Sequence, residues 1–252
     1  MRHLIQRTHE GKRHFFPAPP RHEEMELLDG AVHDPEELAA NFRDIRRVNQ
    51  LLGGTRTILR HLPALVAIGT SRPVTILDLA TGAADIPIAI ARWARTQHLP
   101  VKIVASDYSE DILDLAGREI VGHPDITLAC HDARHVPLAD KSFDIVLCSL
   151  SLHHFSPDDA VAVLREMNRL ARSGFILNDL CRSRSGFAAA WIAAHLTTRN
   201  RLTRNDAPLS VRRAYTPTEL DDLLHRAGVD GAIITTTLWF RMAAVKSGGH
   251  DV

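Results

Sequence analysis

The sequence predicts an α/β fold with a doubly wound, mostly parallel sheet of seven strands, a terminal antiparallel hairpin and an N-terminal helical cap. From Val74 onwards, short apolar runs alternate with helical patterns. Right-handed crossovers between parallel strands then place helices on both faces of the sheet. Two apolar runs follow each other directly near the end of the chain, which indicates an antiparallel pair. Two helical patterns precede the first strand.

Each predicted strand is a short apolar run, as expected for strands that are buried on both faces of a sheet. Cap residues mark the helix starts between the strands. Ser109, Ser156 and the pair Thr216 with Glu219 each match an N-terminal capping pattern. The predicted strands are residues 74–79, 101–107, 126–130, 143–150, 174–180, 232–238 and 240–245.

The first part of the chain, residues 1–70, is predicted to form an arm and a helical cap. Residues 1 to about 22 are basic and rich in His and Pro, so we interpret them as a mobile arm or an irregular lead-in. Asp34 is a suitable N-cap for a helix that ends at Gly53–Gly54. A second helix is predicted to end near Gly69.

The second part, residues 71–252, is predicted to be the ligand-binding domain, with a helical insert at residues 181–215. Within the insert, Phe187–Leu196 predicts a helix that is apolar nearly all round. Such a helix is expected to be buried against the cap, and the alternative is that one face lines an apolar pocket. The basic stretch from Arg199 to Arg213 is interpreted as a solvated face, with an acidic or lipid surface as the alternative.

Composition narrows the classes of function. Lys and Arg together number 30, as do Asp and Glu, so the formal net charge is zero. This balance argues against a protein that grips nucleic acid along a basic face. Cys130, Cys148 and Cys181 have no close spacing, which favours reduced thiols in a cytoplasmic protein. No signal peptide is recognised, and no stretch approaches the roughly 20 apolar residues that span a bilayer, so we expect a soluble protein.

The run that follows the first predicted strand is a candidate ligand-binding turn. Small residues there let the backbone turn tightly and approach a ligand, and the next helix offers free N–H groups. With only one glycine, the run also fits an ordinary strand-to-helix turn. The candidate residues are Asp78, Ala80, Thr81, Gly82, Ala84 and Asp85.

Polar residues also follow the next three strands, and parallel strands bring such residues to one edge of the sheet. Asp107 is placed to accept hydrogen bonds from a nucleotide ribose, or simply to cap a helix. Tyr108 can pack on an adenine face. Asp132, beside Ala133, is an acceptor for an adenine amino group, or a loop carboxylate. Ser149, Leu150, His153 and His154 follow the fourth strand.

Together these motifs resemble the class I methyltransferases, which use S-adenosylmethionine (SAM) on a Rossmann-like domain. The resemblance covers about residues 70–246, and the first motif resembles the Asp-Leu-Ala-Thr-Gly form of quinone-biosynthesis members. The chain departs from the family at Ala80 and Ala84, where glycine is common, and at Arg172-Ser173-Gly174, where Pro-Gly-Gly is usual. An NAD-binding enzyme would need a fuller glycine fingerprint.

The resemblance implies a role for each motif, with SAM as the methyl donor and S-adenosylhomocysteine (SAH) as the product. Residues 78–84 would approach the methionine portion of SAM and Asp107 its ribose. Asp132 with Ala133 would hold the adenine, while Ser149 and Leu150 would lie near the sulfonium. His153 and His154 would face the methyl group, where either can act as a general base or merely cap or pack. The 15 histidines are scattered and no carboxylate cluster suggests a metal site, so we predict no metal.

The acceptor is indicated by a weaker, second resemblance. Residues 41–54 and 206–217 are similar to bacterial methyltransferases of polyketide and phenolic-lipid pathways. This implies O-methylation of a small hydrophobic phenol or polyketide in secondary metabolism. Two alternatives remain: a C-methyltransferase of the quinone type, and a SAM-binding or sensing protein without catalysis. A nucleic-acid acceptor is disfavoured, because Ser149-Leu150-Ser151-Leu152 stands where base-modifying enzymes carry an Asn/Asp-Pro-Pro-Tyr motif. A homodimer is left open.

Overall fold

A seven-stranded sheet forms the centre of the protein. The computed structural model describes residues 18–30, 34–66, 72–237 and 240–248. The strands are β1 (Val74–Leu79), β2 (Val101–Asp107), β3 (Ile126–Cys130), β4 (Phe143–Ser149), β5 (Ala171–Leu180), β6 (Ile233–Thr237) and β7 (Arg241–Ser247). Their order is β3-β2-β1-β4-β5-β7-β6. The first five strands are parallel, and β7 runs antiparallel to both β5 and β6. The predicted fold class is therefore confirmed.

Eight helices surround the sheet within the described residues. They are α1 (Pro35–Leu51), α2 (Gly54–His61), α3 (Asp85–Thr96), α4 (Glu110–Glu119), α5 (Pro157–Leu170), α6 (Arg184–Thr197), α7 (Arg201–Arg213) and α8 (Pro217–Arg226). Predicted caps form as expected. The side chains of Asp34, Ser109 and Ser156 accept backbone hydrogen bonds at the starts of α1, α4 and α5, and Thr216 with Glu219 forms a capping box at α8. No helix of the described residues is both long and apolar enough to cross a membrane.

Two apolar clusters fill the two faces of the sheet. Leu77 and Leu79 of β1 point towards α5 and α8, whereas Ile76 points towards α2 and α3. These side chains are almost fully excluded from water. Each contributes about 1.5–3 kcal/mol to folding through its burial. Alternate burial on both faces of β1 explains why its sequence is a continuous apolar run.

Several predicted boundaries differ from the observed ones. β4 ends at Ser149, because Leu150 has a φ of 54°, which a strand residue does not adopt. β5 begins at Ala171, earlier than predicted, because that residue already pairs with Phe143. α2 ends at His61 and continues as a short 3-10 turn to residue 64. The predicted helix end near residue 69 and strand end at residue 238 lie outside the described residues.

The insert differs from its predicted description. α6 was expected to be buried against the cap, but only Gly186 and Ala194 of this helix are buried. The basic stretch forms α7 rather than a uniformly solvated face. Asp206 and Arg213 of α7 are buried, because both bind the backbone of other segments. Pro208 inside α7 is one reason why the sequence did not predict this helix.

The segment that precedes the cap crosses α7. We call residues 18–30 the N-terminal strap. Asp206 Oδ1 and Oδ2 accept hydrogen bonds from the backbone N–H groups of Leu27 (2.8 Å) and Leu28 (2.9 Å). The Arg21 side chain donates to the carbonyl oxygen of Arg213 (2.7 Å). Residues 18–22 thus form an irregular but anchored lead-in, and residues 1–17 lie outside the described part of the chain.

Candidate active site

A large cavity lies at the carboxyl edge of the parallel strands. Its volume is about 1180 Å³. The loops after β1, β2, β3 and β4 line it, together with α1, α6, α7 and the N-terminal strap. Every residue predicted for the site lines this cavity except Ala84, which is buried at the start of α3. Ligands of doubly wound sheets bind at this edge, so the fold brings the predicted residues to one place.

The loop after β1 has a strained backbone. Ala80, Gly82 and Ala84 have φ values of 51°, 58° and 58°. This left-handed conformation costs alanine roughly 1–2 kcal/mol, whereas glycine adopts it freely. A Cβ added to Gly82 would lie 2.8 Å from Cε1 of Phe42. Ala80 and Ala84, which stand where glycine is common in the family, therefore form the same turn as glycine but lower the stability of the fold.

Asp78 presents an unpartnered carboxylate oxygen at the end of β1. Its Oδ2 accepts a hydrogen bond from the Thr81 hydroxyl (2.6 Å). Its buried Oδ1 has no hydrogen-bond partner among the described residues. Burial raises the pKa of Asp78 to about 7, and the nearby carboxylates of Asp85 and Asp107 add to the rise. A cationic group in the cavity would complete this site, and the ammonium of SAM is such a group.

Asp85, the first residue of α3, is held by the cap. Its Oδ2 accepts a hydrogen bond from Asn49 Nδ2 (2.9 Å). Asn49 Oδ1 in turn accepts from Nη2 of the buried Arg241 (3.2 Å). Burial raises the pKa of Asp85. Asn49 and Arg241 were missed by the sequence analysis, because a polar residue on a cap helix and an arginine at a strand start carry no local signal of this contact.

Asp107 joins the loops after β1 and β2. Its Oδ2 accepts the backbone N–H of Gly82 (3.0 Å), and its Oδ1 accepts that of Ser109 (3.2 Å). The α4 cap is the Ser109 side chain, so Asp107 is not needed as a simple helix cap. Burial raises the pKa of Asp107. Each oxygen can accept a further hydrogen bond, and Asp107 lines the cavity, which suits a diol such as ribose.

The residues predicted for the adenine lie at the rim of the cavity. Tyr108 is largely exposed, and Ala133 is buried beneath the rim. Asp132 forms a fork with Arg134, in which Nε–Oδ1 is 3.0 Å and Nη2–Oδ2 is 2.7 Å. The Arg134 hydrogen bond lowers the pKa of Asp132. Arg134 competes for the oxygens that an adenine amino group would use, so the role of Asp132 stays a prediction.

The loop after β4 is tied to the loop after β1. Ser149 Oγ accepts a hydrogen bond from Asn178 Nδ2 (2.9 Å). Ser151 Oγ donates to the carbonyl oxygen of Ala80 (3.2 Å). Leu150, between them, has a positive φ and lines the cavity. These contacts fix the two loops that the resemblance places along the methionine portion and the sulfonium of SAM.

His153 and His154 have different environments. His153 is buried, with its Nδ1 2.7 Å from Asp179 Oδ1 at the end of β5. Its Nε2 lies 3.6 Å from Glu26 Oε1 of the strap. His154 is partly exposed, with its Nδ1 2.8 Å from Asp29 Oδ1. Its Nε2 lies 3.8 Å from Glu26 Oε2.

Charge distinguishes the two histidines. Burial disfavours the charged form of His154, but Glu26 and Asp29 outweigh it and raise the pKa of His154 to about 9. His154 is therefore protonated at neutral pH and cannot accept a proton there. Although burial works against its charge, Asp179 keeps a lowered pKa because His153 is its partner. An ionised Asp179 favours a proton on Nδ1 of His153, which leaves Nε2 as the free acceptor.

Three acidic residues and Arg213 around the histidines were missed by the sequence analysis. Arg213 donates to the carbonyl oxygens of His153 (3.3 Å) and His154 (2.7 Å), which fixes the turn that carries both rings. Asp179 could have been found, since it lies at the end of a buried strand, as Asp78 and Asp107 do. The acids of the N-terminal strap gave no such signal. The three acids are Glu26, Asp29 and Asp179.

Glu26, His153 and His154 could also hold a metal ion. Their ligand atoms lie within 4.8 Å of one another, and the other ring nitrogen of each histidine faces a carboxylate, as in many metal sites. Nε of Arg213 lies 3.9 Å from Glu26 Oε1 and offers a competing positive charge. The prediction that the protein uses no metal therefore needs a direct test.

The chain is similar to known methyltransferases. Residues 76–174 match a family model described as a methyltransferase domain. A demethylmenaquinone methyltransferase of Beutenbergia cavernae is 32% identical over 145 residues, which cover 56% of this chain and 56% of that protein. The chain thus spans about half the length of the curated relatives it matches.

Two solved structures show the same fold. A SAM-dependent methyltransferase from Aquifex aeolicus has a TM-score of 0.56 at 15% identity and covers 85% of this chain and 98% of that one. A magnesium protoporphyrin IX methyltransferase from Synechocystis, solved with bound SAH, has a TM-score of 0.52 at 20% identity and covers 87% and 90%. The strand order, the loop after β1 and the match of residues 76–174 to a methyltransferase domain together support a class I SAM-dependent methyltransferase family for this chain.

Proposed function

We propose that this protein transfers the methyl group of SAM to a hydroxyl oxygen of a small, hydrophobic aromatic acceptor. The observation that carries the proposal is the buried His153–Asp179 pair, in which His153 lines the same cavity as the loop after β1. The proposal thus has two parts: a cofactor side built by Asp78 and Asp107, and an acceptor side with a base.

The cavity wall on the acceptor side is apolar. Ala189, Ala190 and Ala193 of α6 line it, together with Val48 and Leu51 near the end of α1. Such a wall favours an acceptor that carries apolar surface. The balanced charge of the chain supports a small molecule rather than a nucleic acid as the acceptor.

The His153–Asp179 pair supplies the base. Asp179 holds the Nδ1 proton of His153, so Nε2 can take the proton of an acceptor hydroxyl. A phenol has a pKa of about 10, so this step increases the fraction of reactive phenolate at neutral pH. SAM supplies an electrophilic methyl group on a sulfonium. The imidazolium that forms on His153 is stabilised by Asp179 and by Glu26, whose Oε1 lies 3.6 Å from Nε2.

A second candidate is C-methylation of a hydroquinone ring. It is favoured by the relatives named demethylmenaquinone methyltransferase. The same base would serve, because an ionised hydroxyl also activates the neighbouring ring carbon. The two reactions differ in which acceptor atom is held in line with the methyl group.

The test is a turnover screen with purified protein, SAM and a panel of phenols, alkylresorcinols, polyketide aromatics and quinols. SAH and product mass are followed together. We expect a product that carries one added methyl group, with an ether bond by NMR. A new C–CH3 bond would assign the second candidate. SAM binding without turnover of any panel member would support a non-catalytic SAM-binding protein.

The same screen decides whether a metal is used. We propose a metal-free reaction, because Arg213 and the protonated His154 already balance charge around Glu26. Turnover should therefore be unchanged, within about twofold, after EDTA treatment and removal of the chelated metal. If EDTA lowers the turnover of the wild type, Zn²⁺ or Mn²⁺ restores it, and EDTA has no such effect on the Glu26→Gln variant, the cluster holds a catalytic ion.

A further inference from the structure

The outer face of α6 is an apolar surface without a partner among the described residues. Trp191, Ile192 and Leu196 on this face are 49%, 51% and 80% exposed. The helix contains no acidic residue, and only Gly186 and Ala194 are buried. Trp191 also stacks on His195 (ring centroids 4.3 Å), and exposed apolar side chains that are grouped on one helix mark an interaction surface. We call Trp191, Ile192 and Leu196 the α6 outer face.

A neighbouring face of α6 belongs to the cavity. Ala189, Ala190 and Ala193 line it. Leu51, at the end of α1, is 78% exposed and lines the same cavity, so the opening has an apolar rim. One helix therefore separates the cavity from the α6 outer face, and apolar surface extends from the rim into the site.

Positive charge flanks the α6 outer face at both ends. Arg184 is the first residue of the helix, and Arg199 follows its last turn. Both side chains are exposed, and neither has an ion-pair partner within the described ranges. An apolar face flanked by arginines is the arrangement by which an interfacial helix lies on an anionic bilayer, because the face enters the acyl boundary and the arginines reach phosphates. Tryptophan is enriched at this boundary.

We propose that α6 docks this protein on anionic lipid surfaces through its outer face, beside the opening of the cavity. An acceptor with an apolar tail could then enter the cavity from the bilayer without crossing water. Docking itself does not depend on the proposed reaction, and only the entry of the acceptor rests on that proposed function.

A second copy of the chain fits this surface less well. If α6 paired with itself in antiparallel orientation, Arg184 of one copy would lie near Arg199 of the other. In parallel orientation, identical arginines would meet. The helix offers no carboxylate to compensate either arrangement, so like charges would oppose such a dimer. A lipid surface supplies the missing negative charge.

The test is flotation of the full chain with vesicles of phosphatidylcholine and phosphatidylglycerol (3:1 by composition), without SAM or acceptor. We expect binding that weakens with salt and is lower on pure phosphatidylcholine. The Ile192→Glu/Leu196→Glu variant should bind at least about tenfold more weakly. Val121→Glu is the matched control, because Val121 is 79% exposed on the turn after α4, and it should bind like the wild type.

Tryptophan fluorescence gives a second measurement. Vesicles should shift the emission of the wild type to shorter wavelength, and Trp191→Phe should remove this shift. The proposal is overturned if the wild type does not float with anionic vesicles, or if the double variant floats as well as Val121→Glu. A concentration-dependent dimer that the double variant abolishes, without vesicle binding, would assign the surface to a second copy. Turnover of a short-chain acceptor should be unchanged in the double variant, so a failure of docking is distinguishable from a failure of the proposed reaction.

Discussion

Replacing Asp179 by asparagine tests whether His153 needs the charge of Asp179 to act as the base. Asp179 is almost fully buried and accepts three hydrogen bonds: from the Leu180 backbone (2.7 Å), the His153 backbone (3.0 Å) and His153 Nδ1 (2.7 Å). Asparagine keeps the size of the side chain but removes its charge. Because Oδ1 accepts both from His153 Nδ1 and from the Leu180 N–H, the asparagine oxygen takes this place and its NH2 group takes the place of Oδ2. His153 then keeps its tautomer but loses the negative charge that stabilises its protonated form.

The expected loss of rate follows from this loss of charge beside the base. General-base catalysis contributes about 100- to 10,000-fold, so kcat for Asp179→Asn should fall by that factor, or about 3–5 kcal/mol in the barrier. The SAM dissociation constant should change less than about twofold, since Asp179 is absent from the cavity-lining residues and Asp78 and Asp107 are untouched.

The assay measures kcat and KM with the best acceptor from the screen, across pH 6–10, and SAM affinity by calorimetry. A variant in which His153 is replaced by asparagine is the matched comparison. Because His153 and Asp179 act as a unit, the double variant should be no slower than the slower single variant. A kcat of Asp179→Asn within threefold of the wild type would refute the reasoning.

Three further predictions concern the cofactor loop, its strain and the second histidine. Asp107→Ala should weaken SAM binding by about 1.5–3 kcal/mol, through loss of a charged acceptor for the ribose, whereas the exposed control Asp114→Ala should bind normally; equal affinities in calorimetry would contradict the ribose assignment. Ala80→Gly should raise the free energy of unfolding by about 0.5–1 kcal/mol, because glycine adopts the positive φ of this position without strain. Ala83→Gly, in the same loop but without a positive φ, should lower the free energy of unfolding. Urea denaturation that ranks the two variants in the opposite order would contradict the assignment of strain to Ala80. The pKa of His154 is raised from 6.5 to about 9, so its contribution of about 3 kcal/mol is fully present below about pH 6.5 and is lost as the pH rises through 9. Urea denaturation of the wild type and His154→Gln from pH 6 to 10 should converge at high pH, and a constant gap would refute the charge assignment.

The cofactor side of the site was predictable because its signals are local. A buried apolar strand followed by small residues and a carboxylate is readable within a few positions, and β1 with Asp78 and Gly82 shows such a run. The search for a carboxylate at the end of a buried strand also identified Asp107, and it would have identified Asp179. The parallel sheet then assembles these residues without any further information from the sequence.

The acceptor side could not be predicted in the same way, because it is assembled from distant segments. Glu26 meets His153 only because Asp206 of α7 holds the strap, and α7 itself has Pro208 in its middle. The apolar pattern of α6 predicted that this helix is buried, but most of it is exposed. The prediction was wrong because the pattern reports how apolar a helix is and not which other segment covers it.

The N-terminal strap contributes both to the charges around the two histidines and to the wall of the cavity. Glu26 and Asp29 reach the histidines only while Asp206 and Arg213 hold the backbone of residues 24–29. The raised pKa of His154 depends on those two acids, so a loosened strap would release the proton that His154 carries at neutral pH. The N-terminal strap therefore lines the acceptor cavity and also supplies the acids of this charge network. A change in the strap should alter the acceptor KM and the pH dependence of turnover together, while the SAM dissociation constant stays unchanged.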